Sequence, residues 1–335
     1  MSDGYPVQRV FLVGWLHRCG NTTVGGEEGV TASEKEGVSW GGKTRWRLVI
    51  LGAVVLGLAV AGLKMAELWG GFHLEILYPW TLIPILVAHA GALWISRILW
   101  QQSLLLVTSW RLENRQAFVQ VGMLLVAKYV PGKVWGLLSR GLHARQFGIS
   151  TTQATTASVL EQMAFLLSSL LAIVLGLFHD RPSWAGMGVF GAVVMMVSCP
   201  LAVRYLSLTP RLRGAWREGL CHLCSSAFLG LCLLSLGIWI LASAVLFCVL
   251  FGIGADISTG LALTTLAAVP AAMLSGLFFF FVPGGIGIRE GVLVFFLQPV
   301  VGLQAAIMAS MLFRILDTVR DVAIGLWTMN QLRQG

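Results

Sequence analysis

Long apolar segments constrain what this chain can fold into more than any other feature of its sequence. Most of them are about 20 residues long, enough for an α-helix to cross a hydrocarbon core of roughly 30 Å. They lack the alternating pattern, about ten residues per strand, of an outer-membrane β-barrel. The segments run over residues 48–69, 79–99, 116–138, 158–178, 184–205, 226–252, 260–282, 292–301 and 304–327.

The composition agrees with a membrane protein. Only 11% of the residues are charged and 57% are hydrophobic, whereas a soluble domain carries about 25% Asp, Glu, Lys and Arg. This is too little charge to cover a surface that faces water. The sequence therefore predicts an all-α polytopic membrane protein, and it excludes soluble enzymes, secreted disulfide scaffolds and nucleic-acid-binding domains.

The first 45 residues differ from the rest, because they are rich in Gly, Ser, Thr and Glu. This composition is typical of a disordered tail, and we expect the transmembrane domain to cover residues 46–330. We predict no metal site, because Cys221 and Cys224 have no second pair of ligands elsewhere. We predict no cofactor either, and the chain has no phosphate-binding loop for a nucleotide.

Two of the apolar segments are interrupted by Pro-Gly sequences. One interruption is Lys128-Tyr-Val-Pro-Gly-Lys133, and the other is Val282-Pro-Gly-Gly-Ile-Gly-Ile-Arg-Glu-Gly291. Proline removes a backbone donor and glycine weakens a helix. Each interruption therefore predicts a helix that stops, turns and restarts.

The distribution of basic residues orients these segments. Cytoplasmic loops carry an excess of Lys and Arg, and the chain has a net charge of +8. With a cytoplasmic N-terminus, Arg140, Arg145 and the cluster within 204–217 fall inside only if the first interrupted segment is re-entrant. The same reasoning makes the second one re-entrant from outside. We therefore predict six full transmembrane helices and two re-entrant Pro-Gly hairpins in the cell's inner (cytoplasmic) membrane.

The two interruptions also align with each other. Pro283 follows Pro131 by 152 residues, and the same offset pairs Ala154 with Ala306 and Ser158 with Ser310. Two halves, about 46–180 and 184–330, would then enter the membrane from opposite sides, as in the inverted repeats of many transporters. The alternative is that Pro and Gly only kink two ordinary helices.

Several ionisable residues lie within or beside the apolar segments, where they are costly and usually functional or paired. Arg289 stands beside glycine-rich backbone, where a guanidinium and free amides at a helix start suit a phosphate. Lys128, Lys133 and Arg140 could form an opposing gate, and we expect Tyr129 to anchor the chain at the membrane interface. The expected headgroup site comprises Lys128, Pro131, Gly132, Lys133, Arg140, Glu161, Pro283, Gly284, Gly285, Gly287, Arg289, Glu290 and Arg314.

The last apolar segment contains charges at helical spacing. Arg314 and Asp317, and likewise Asp317 and Arg320, are i,i+3 neighbours on a helix, where opposite charges can pair. We therefore interpret Asp317, Arg320 and Asp321 as a structural ion-pair network.

At these residues the chain resembles the flippase-like family grouped with the transmembrane region of lysylphosphatidylglycerol synthase. The resemblance rests on 128–140, on 148–161 and above all on Pro283-Gly-Gly-Ile-Gly-Ile-Arg-Glu-Gly291 with the later Arg314. It covers about residues 46–330 and implies a polytopic protein that moves a lipid with a charged headgroup between leaflets. The synthase carries a further soluble aminoacyl-transfer domain, which we do not expect here, so we expect no synthase activity.

Three functions follow as hypotheses. The first is a lipid translocase without nucleotide hydrolysis, whose partners are membrane lipids with an anionic or zwitterionic headgroup, and in which Glu161, Arg289 and Arg314 share a pocket. The second is a non-transporting accessory protein that docks a cytoplasmic lipid or glycan synthesis enzyme through the basic loop at 204–217. The third is a lipid-modifying enzyme, but His89, His143 and Glu161 show no recognisable catalytic spacing, and we predict that the chain is not an enzyme.

Overall fold

The computed structural model describes residues 78–108, 110–129, 134–177, 226–278, 285 and 287–334. All regular structure in these residues is helical, with two short 3-10 helices, Pro79–Thr81 and Arg145–Phe147, beside eight α-helices. The predicted tail and the predicted spans 48–69 and 184–205 lie outside the described residues. The α-helices are α1 (Leu82–Thr108), α2 (Asn114–Ala127), α3 (Val134–Ala144), α4 (Thr151–Leu177), α5 (Ser226–Gly252), α6 (Thr259–Phe278), α7 (Ile288–Val301) and α8 (Leu303–Gln334).

Among the described residues, four helical segments are long and apolar enough to cross a membrane. They are Pro79–Thr108, Thr151–Leu177, Ser226–Gly252 and Thr259–Leu277. Large apolar side chains such as Phe295, which is 75% exposed, cover the outside of the bundle. Such a surface suits lipid, where helices satisfy their own backbone groups. The chain is a multi-pass, all-helical membrane protein.

Both interrupted segments consist of two helices, as the sequence predicts. In the first, α2 ends at Ala127 and α3 begins at Val134. The two helices pack antiparallel, because Nε of Arg140 on α3 donates to the carbonyl of Gln120 on α2 at 2.9 Å. In the second, α6 ends at Phe278 and α7 begins at Ile288. Pro131, Gly132, Pro283 and Gly284 themselves lie outside the described residues.

The lengths of these paired helices are unequal. At about 1.5 Å per residue, α2 with 14 residues and α3 with 11 are each too short to cross a bilayer. The helix α7 also has 14 residues. In contrast, α6 has 20 residues and is long enough to span the membrane. A re-entrant hairpin would be expected to contain helices of about half the length of a full span.

A glycine with positive φ precedes the last helix of each half. Gly148 precedes α4 with φ 77° and Gly302 precedes α8 with φ 80°. These left-handed values favour glycine, which has no Cβ. The two positions also correspond in the sequence alignment of the halves, after a shift of two residues.

The helix packing follows the same two halves, α1 to α4 and α5 to α8. The helices α1 and α5 run antiparallel, with the amide of Tyr78 donating to the carbonyl of Gly252 at 3.3 Å. The helix α2 packs on α8, and its counterpart α6 packs on α4. The aligned residues are buried alike, since Ala154, Ala306, Ser158 and Ser310 are each at most 1% exposed. The contacts of α2 with α8 and of α6 with α4 therefore match each other under the alignment of the halves.

Candidate functional site

Charged side chains of the described helices gather in three groups. The first, the cavity group, contains Arg289, Glu290 and Arg314. The second, the α8 network, contains Asp317, Arg320 and Asp321 of α8 with Lys128 from the end of α2 and His89 of α1. The third, the sealed pair, consists of Arg140 and Glu161.

The cavity group is built at the start of α7. The carboxylate of Glu290 accepts a hydrogen bond from the Gly287 amide at 2.6 Å, which satisfies a backbone donor at the helix start. The side chain of Arg289 lies against Gly276 of α6 and against Gly285. A Cβ at Gly285 would lie 2.9 Å from Nε of Arg289, so both glycines leave room for the guanidinium.

The Arg289 guanidinium is not fully partnered. Its Nε and Nη1 atoms are buried and have no hydrogen-bond partner among the described residues. The neighbouring Arg314 is engaged differently, since its Nε lies 3.4 Å from a carboxylate oxygen of Glu290. The two arginines border a small cavity that has room for about one water molecule. The cavity is lined by Ala272, Met273, Arg289, Glu290, Leu293, Ser310, Phe313, Arg314 and Asp317.

The α8 network joins three helices. Arg320 lies 2.8 Å from Asp317 and 2.8 Å from Asp321, so both carboxylates share one guanidinium. Lys128 pairs with Asp321 and lies 3.9 Å from Asp317. Nη1 of Arg320 also contacts Nδ1 of His89 on α1 at 3.1 Å. Because Asp317 also lines the cavity, the network touches the cavity group.

The sealed pair is enclosed on all sides. Nη1 of Arg140 lies 2.5 Å from Oε2 of Glu161, and the two side chains are 1% and 3% exposed. The guanidinium lies 4.0 Å over the ring of Trp100, whose indole donates to the side chain of Gln120 at 2.7 Å. The side chains of Arg140, Glu161 and Trp100 therefore each have a partner. Nδ1 of His143 completes the cluster, at 3.0 Å from the side-chain amide of Gln120.

A family model for the lysylphosphatidylglycerol synthase TM region matches residues 46–325. The chain belongs to this family. The match covers all three charged groups, and it confirms the resemblance found from the Pro-Gly sequences. No curated protein matches the chain.

The described residues of the predicted headgroup site divide among the three groups. Arg289, Glu290 and Arg314 line the cavity. Gly285 lies against Arg289, and the amide of Gly287 donates to Glu290. Arg140 and Glu161 pair with each other and do not line the cavity, and Lys128 belongs to the α8 network. Outside the described residues lie Pro131, Gly132, Lys133, Pro283 and Gly284.

One arginine has a partner that spacing along the helix did not indicate, and one expectation about a side chain is wrong. Arg314 pairs with Glu290 and not with its i,i+3 neighbour Asp317, because the carboxylates of that turn are occupied by Arg320 and Lys128. Tyr129 is not an interfacial anchor.

Tyr129 is 7% exposed, and its hydroxyl donates to Asp321 at 2.7 Å. Sequence reasoning also missed His89, Trp100 and Gln120 as members of these groups. A buried ionisable or hydrogen-bonding residue in an apolar helix was the signal that could have found them.

Proposed function

We propose that the protein is a lipid translocase that moves lipids with a phosphate-bearing headgroup between the leaflets of the inner membrane, without nucleotide hydrolysis. The observation that carries the proposal is the buried Arg289 guanidinium, with two nitrogens lacking partners among the described residues. An unsatisfied charged donor is costly. A phosphate oxygen is the acceptor that a guanidinium binds best, often through two parallel hydrogen bonds.

The charge balance around the cavity supports the same ligand. Arg289 and Arg314 supply two positive charges, and the carboxylate of Glu290 pairs with Arg314. The remaining lining carboxylate, Asp317, is shared by Arg320 and Lys128. The cavity group therefore has one positive charge in excess, which suits the single negative charge of a phosphodiester.

The arrangement of the two halves supports movement of the ligand. In an inverted repeat equivalent helices run in opposite directions, so a rocking motion would exchange which half is open, as in many transporters. In this proposal α2–α3 enters from the cytoplasm as a re-entrant hairpin of two short helices. The helices α6 and α7 enter from outside, with the long α6 reaching deeper and the short α7 returning from it. The sealed pair holds the first hairpin against α4, and the cavity group binds the headgroup. The N-terminus is cytoplasmic in this proposal.

The other two hypotheses have less support. The accessory role depends on the basic loop at 204–217, which lies outside the described residues, so no structural observation favours it. The enzyme hypothesis requires an acid, base or nucleophile beside a substrate site. The proposal therefore assigns the chain a transport step and no chemical reaction.

The test is flipping of fluorescent lipids in proteoliposomes. The lipid panel contains phosphatidylglycerol, aminoacyl-phosphatidylglycerol and a polyprenyl phosphate. Loss of a charged hydrogen bond costs about 1.5–3 kcal/mol, so Arg289→Ala should slow flipping of the transported lipid by about tenfold or more. Arg333→Ala, which removes an exposed arginine near the end of α8, is the matched control and should leave the rate unchanged. Equal rates in wild type and Arg289→Ala would contradict the proposal.

A further inference from the structure

His89 is a buried histidine beside a charge network that is balanced without it. Lys128 and Arg320 supply two positive charges, and Asp317 and Asp321 supply two negative charges. The imidazole is 7% exposed and touches this network through Arg320. Any charge on the histidine would therefore be in excess.

The contact with Arg320 fixes the protonation state of the ring. Arginine has only donors, so Nδ1 of His89, at 3.1 Å from Nη1 of Arg320, must be the acceptor. The ring is then neutral and carries its proton on Nε2. That nitrogen is buried and has no hydrogen-bond partner among the described residues.

The helices around the histidine bring few other titratable groups. The helix α5 carries no Asp, Glu, Lys, Arg or His, and the single carboxylate of α4, Glu161, is occupied by Arg140. On α7, Arg289 lines the same cavity as Asp317 and adds a positive charge beside the network. At the end of α2 the Tyr129 hydroxyl donates to an aspartate of the network. The carboxylates are each held by two cations, so the neutral histidine is the group of this cluster that can still take up a proton.

Protonation of His89 would break a contact between the two halves. A histidinium offers two donors and no acceptor, so it cannot accept the hydrogen bond from Arg320. It would also add an uncompensated positive charge beside that guanidinium. The contact joins α1 of the first half to α8 of the second. Because Asp317 belongs to the network and also lines the cavity, a shift of Arg320 reaches the Arg289 site.

We propose that His89 is the proton-binding site that couples lipid movement to a pH difference across the membrane. One proton binds Nδ1 on one side, releases Arg320 from the ring, and leaves on the other side after the two halves have exchanged positions. The coupling rests on the proposed translocase function, but the proton site itself can be tested without any transported lipid.

The first experiment measures access to the cavity. Met273→Cys is placed in a chain whose native cysteines are replaced, and its reaction with a polar thiol reagent is followed between about pH 4.5 and about pH 7.5, a range that extends well below the ordinary histidine pKa of about 6.5. At each pH, the reaction rate of the protein with His89 is divided by the rate of the His89→Gln variant. This ratio cancels the pH dependence of the thiol itself. Glutamine can still accept from Arg320 but cannot take up a proton.

We expect this ratio to rise several-fold as the pH falls. His143→Gln, the same change at a half-buried histidine outside the network, is the control. It should leave the pH dependence of the Met273→Cys reaction as it is in the protein with both histidines. A ratio that does not change with pH would overturn the proposal.

The second experiment uses the unmodified chain in vesicles of phosphatidylcholine and phosphatidylglycerol that contain fluorescent phosphatidylglycerol. With one proton per lipid, a gradient of one pH unit would concentrate the probe up to about tenfold in one leaflet. Flipping without any such asymmetry would overturn the coupling and leave the translocase standing. A pH-dependent accessibility ratio in a protein that flips none of the lipids would overturn the translocase and leave the proton site standing.

Discussion

Arg140 and Glu161 pair α3 with α4 in the first half, and Arg314 and Glu290 pair α8 with α7 in the second half with the charges reversed. The first pair is closed, at 2.5 Å between Nη1 and Oε2 with both side chains at most 3% exposed. The second pair is looser, at 3.4 Å with side chains 13% and 20% exposed. In each case the ion pair ties the helix that follows a Pro-Gly sequence to the next helix, and the second of these two pairs borders the cavity.

The difference in burial predicts different stabilities. Glu161→Ala leaves Arg140 buried without a counter-charge, and removal of one partner from a buried pair costs about 3–5 kcal/mol. Glu290→Ala is the matched control. It opens a partly exposed pair and removes the hydrogen bond to the Gly287 amide, so about 1–2 kcal/mol is expected. Chemical unfolding in detergent micelles measures both, and equal losses would show that the sealed pair does not stabilise the fold as described.

Close packing between the halves gives a second prediction. A Cβ at Gly176 of α4 would lie 2.7 Å from the backbone nitrogen of Ala267 on α6, and backbone atoms cannot move aside without cost. Gly176→Ala should therefore destabilise the protein by about 1–3 kcal/mol. Gly230→Ala, in a helix position with open space, should change stability by less than about 0.5 kcal/mol. The same unfolding measurement decides, and a neutral Gly176→Ala would mean that α4 and α6 are not packed this closely.

Gly276 gives a prediction about transport. An alanine there would collide with the Arg289 side chain and displace the guanidinium from the cavity. Gly276→Ala should therefore slow lipid flipping nearly as much as Arg289→Ala, by about tenfold. Gly291→Ala lies two residues from Arg289 but meets no atom within 4 Å, and it should flip lipids at the wild-type rate. If both alanine variants are normal, the position of Arg289 beside α6 does not matter for transport.

The antiparallel hairpins predict a labelling pattern. Both ends of α2–α3 lie at the same end of the bundle, so cysteines at exposed Glu113 and Thr152 should react from the cytoplasmic side only. Cysteines at exposed Ile257 and Gln304, which flank α6–α7, should react from the opposite side only. A membrane-impermeant thiol reagent applied to intact cells and to inverted vesicles measures this. Reaction of the Glu113 and Thr152 positions from opposite sides would contradict the re-entrant hairpin.

The local features of this fold could be predicted from the sequence. The helix breaks before Val134 and Ile288 follow from Pro and Gly, whose effects on the backbone are local. Membrane crossing follows from the length of the apolar runs. The length of α6 also follows from its apolar run, which continues up to the second Pro-Gly sequence. Its place in a re-entrant hairpin rests on the charge rule alone and stays a prediction.

The partners of the buried charges could not be predicted. Lys128 and Asp321 are far apart in sequence, as are Arg320 and His89, and only the tertiary packing of α1, α2 and α8 brings them together. The i,i+3 rule gave the Asp317 and Arg320 pair because both residues lie on one helix. It does not reach the partner of Arg314, because Glu290 is on α7.

The most direct test of the central claim is the headgroup preference of flipping in proteoliposomes. Fluorescent phosphatidylglycerol and a fluorescent neutral glycolipid of matched chain length are compared with wild-type protein and with Arg289→Ala. If Arg289 binds the phosphate, wild type should flip the phosphate-bearing lipid at least about tenfold faster than the glycolipid, and Arg289→Ala should lose that preference. Equal flipping of both lipids by wild type, or an unchanged preference in Arg289→Ala, would contradict the claim.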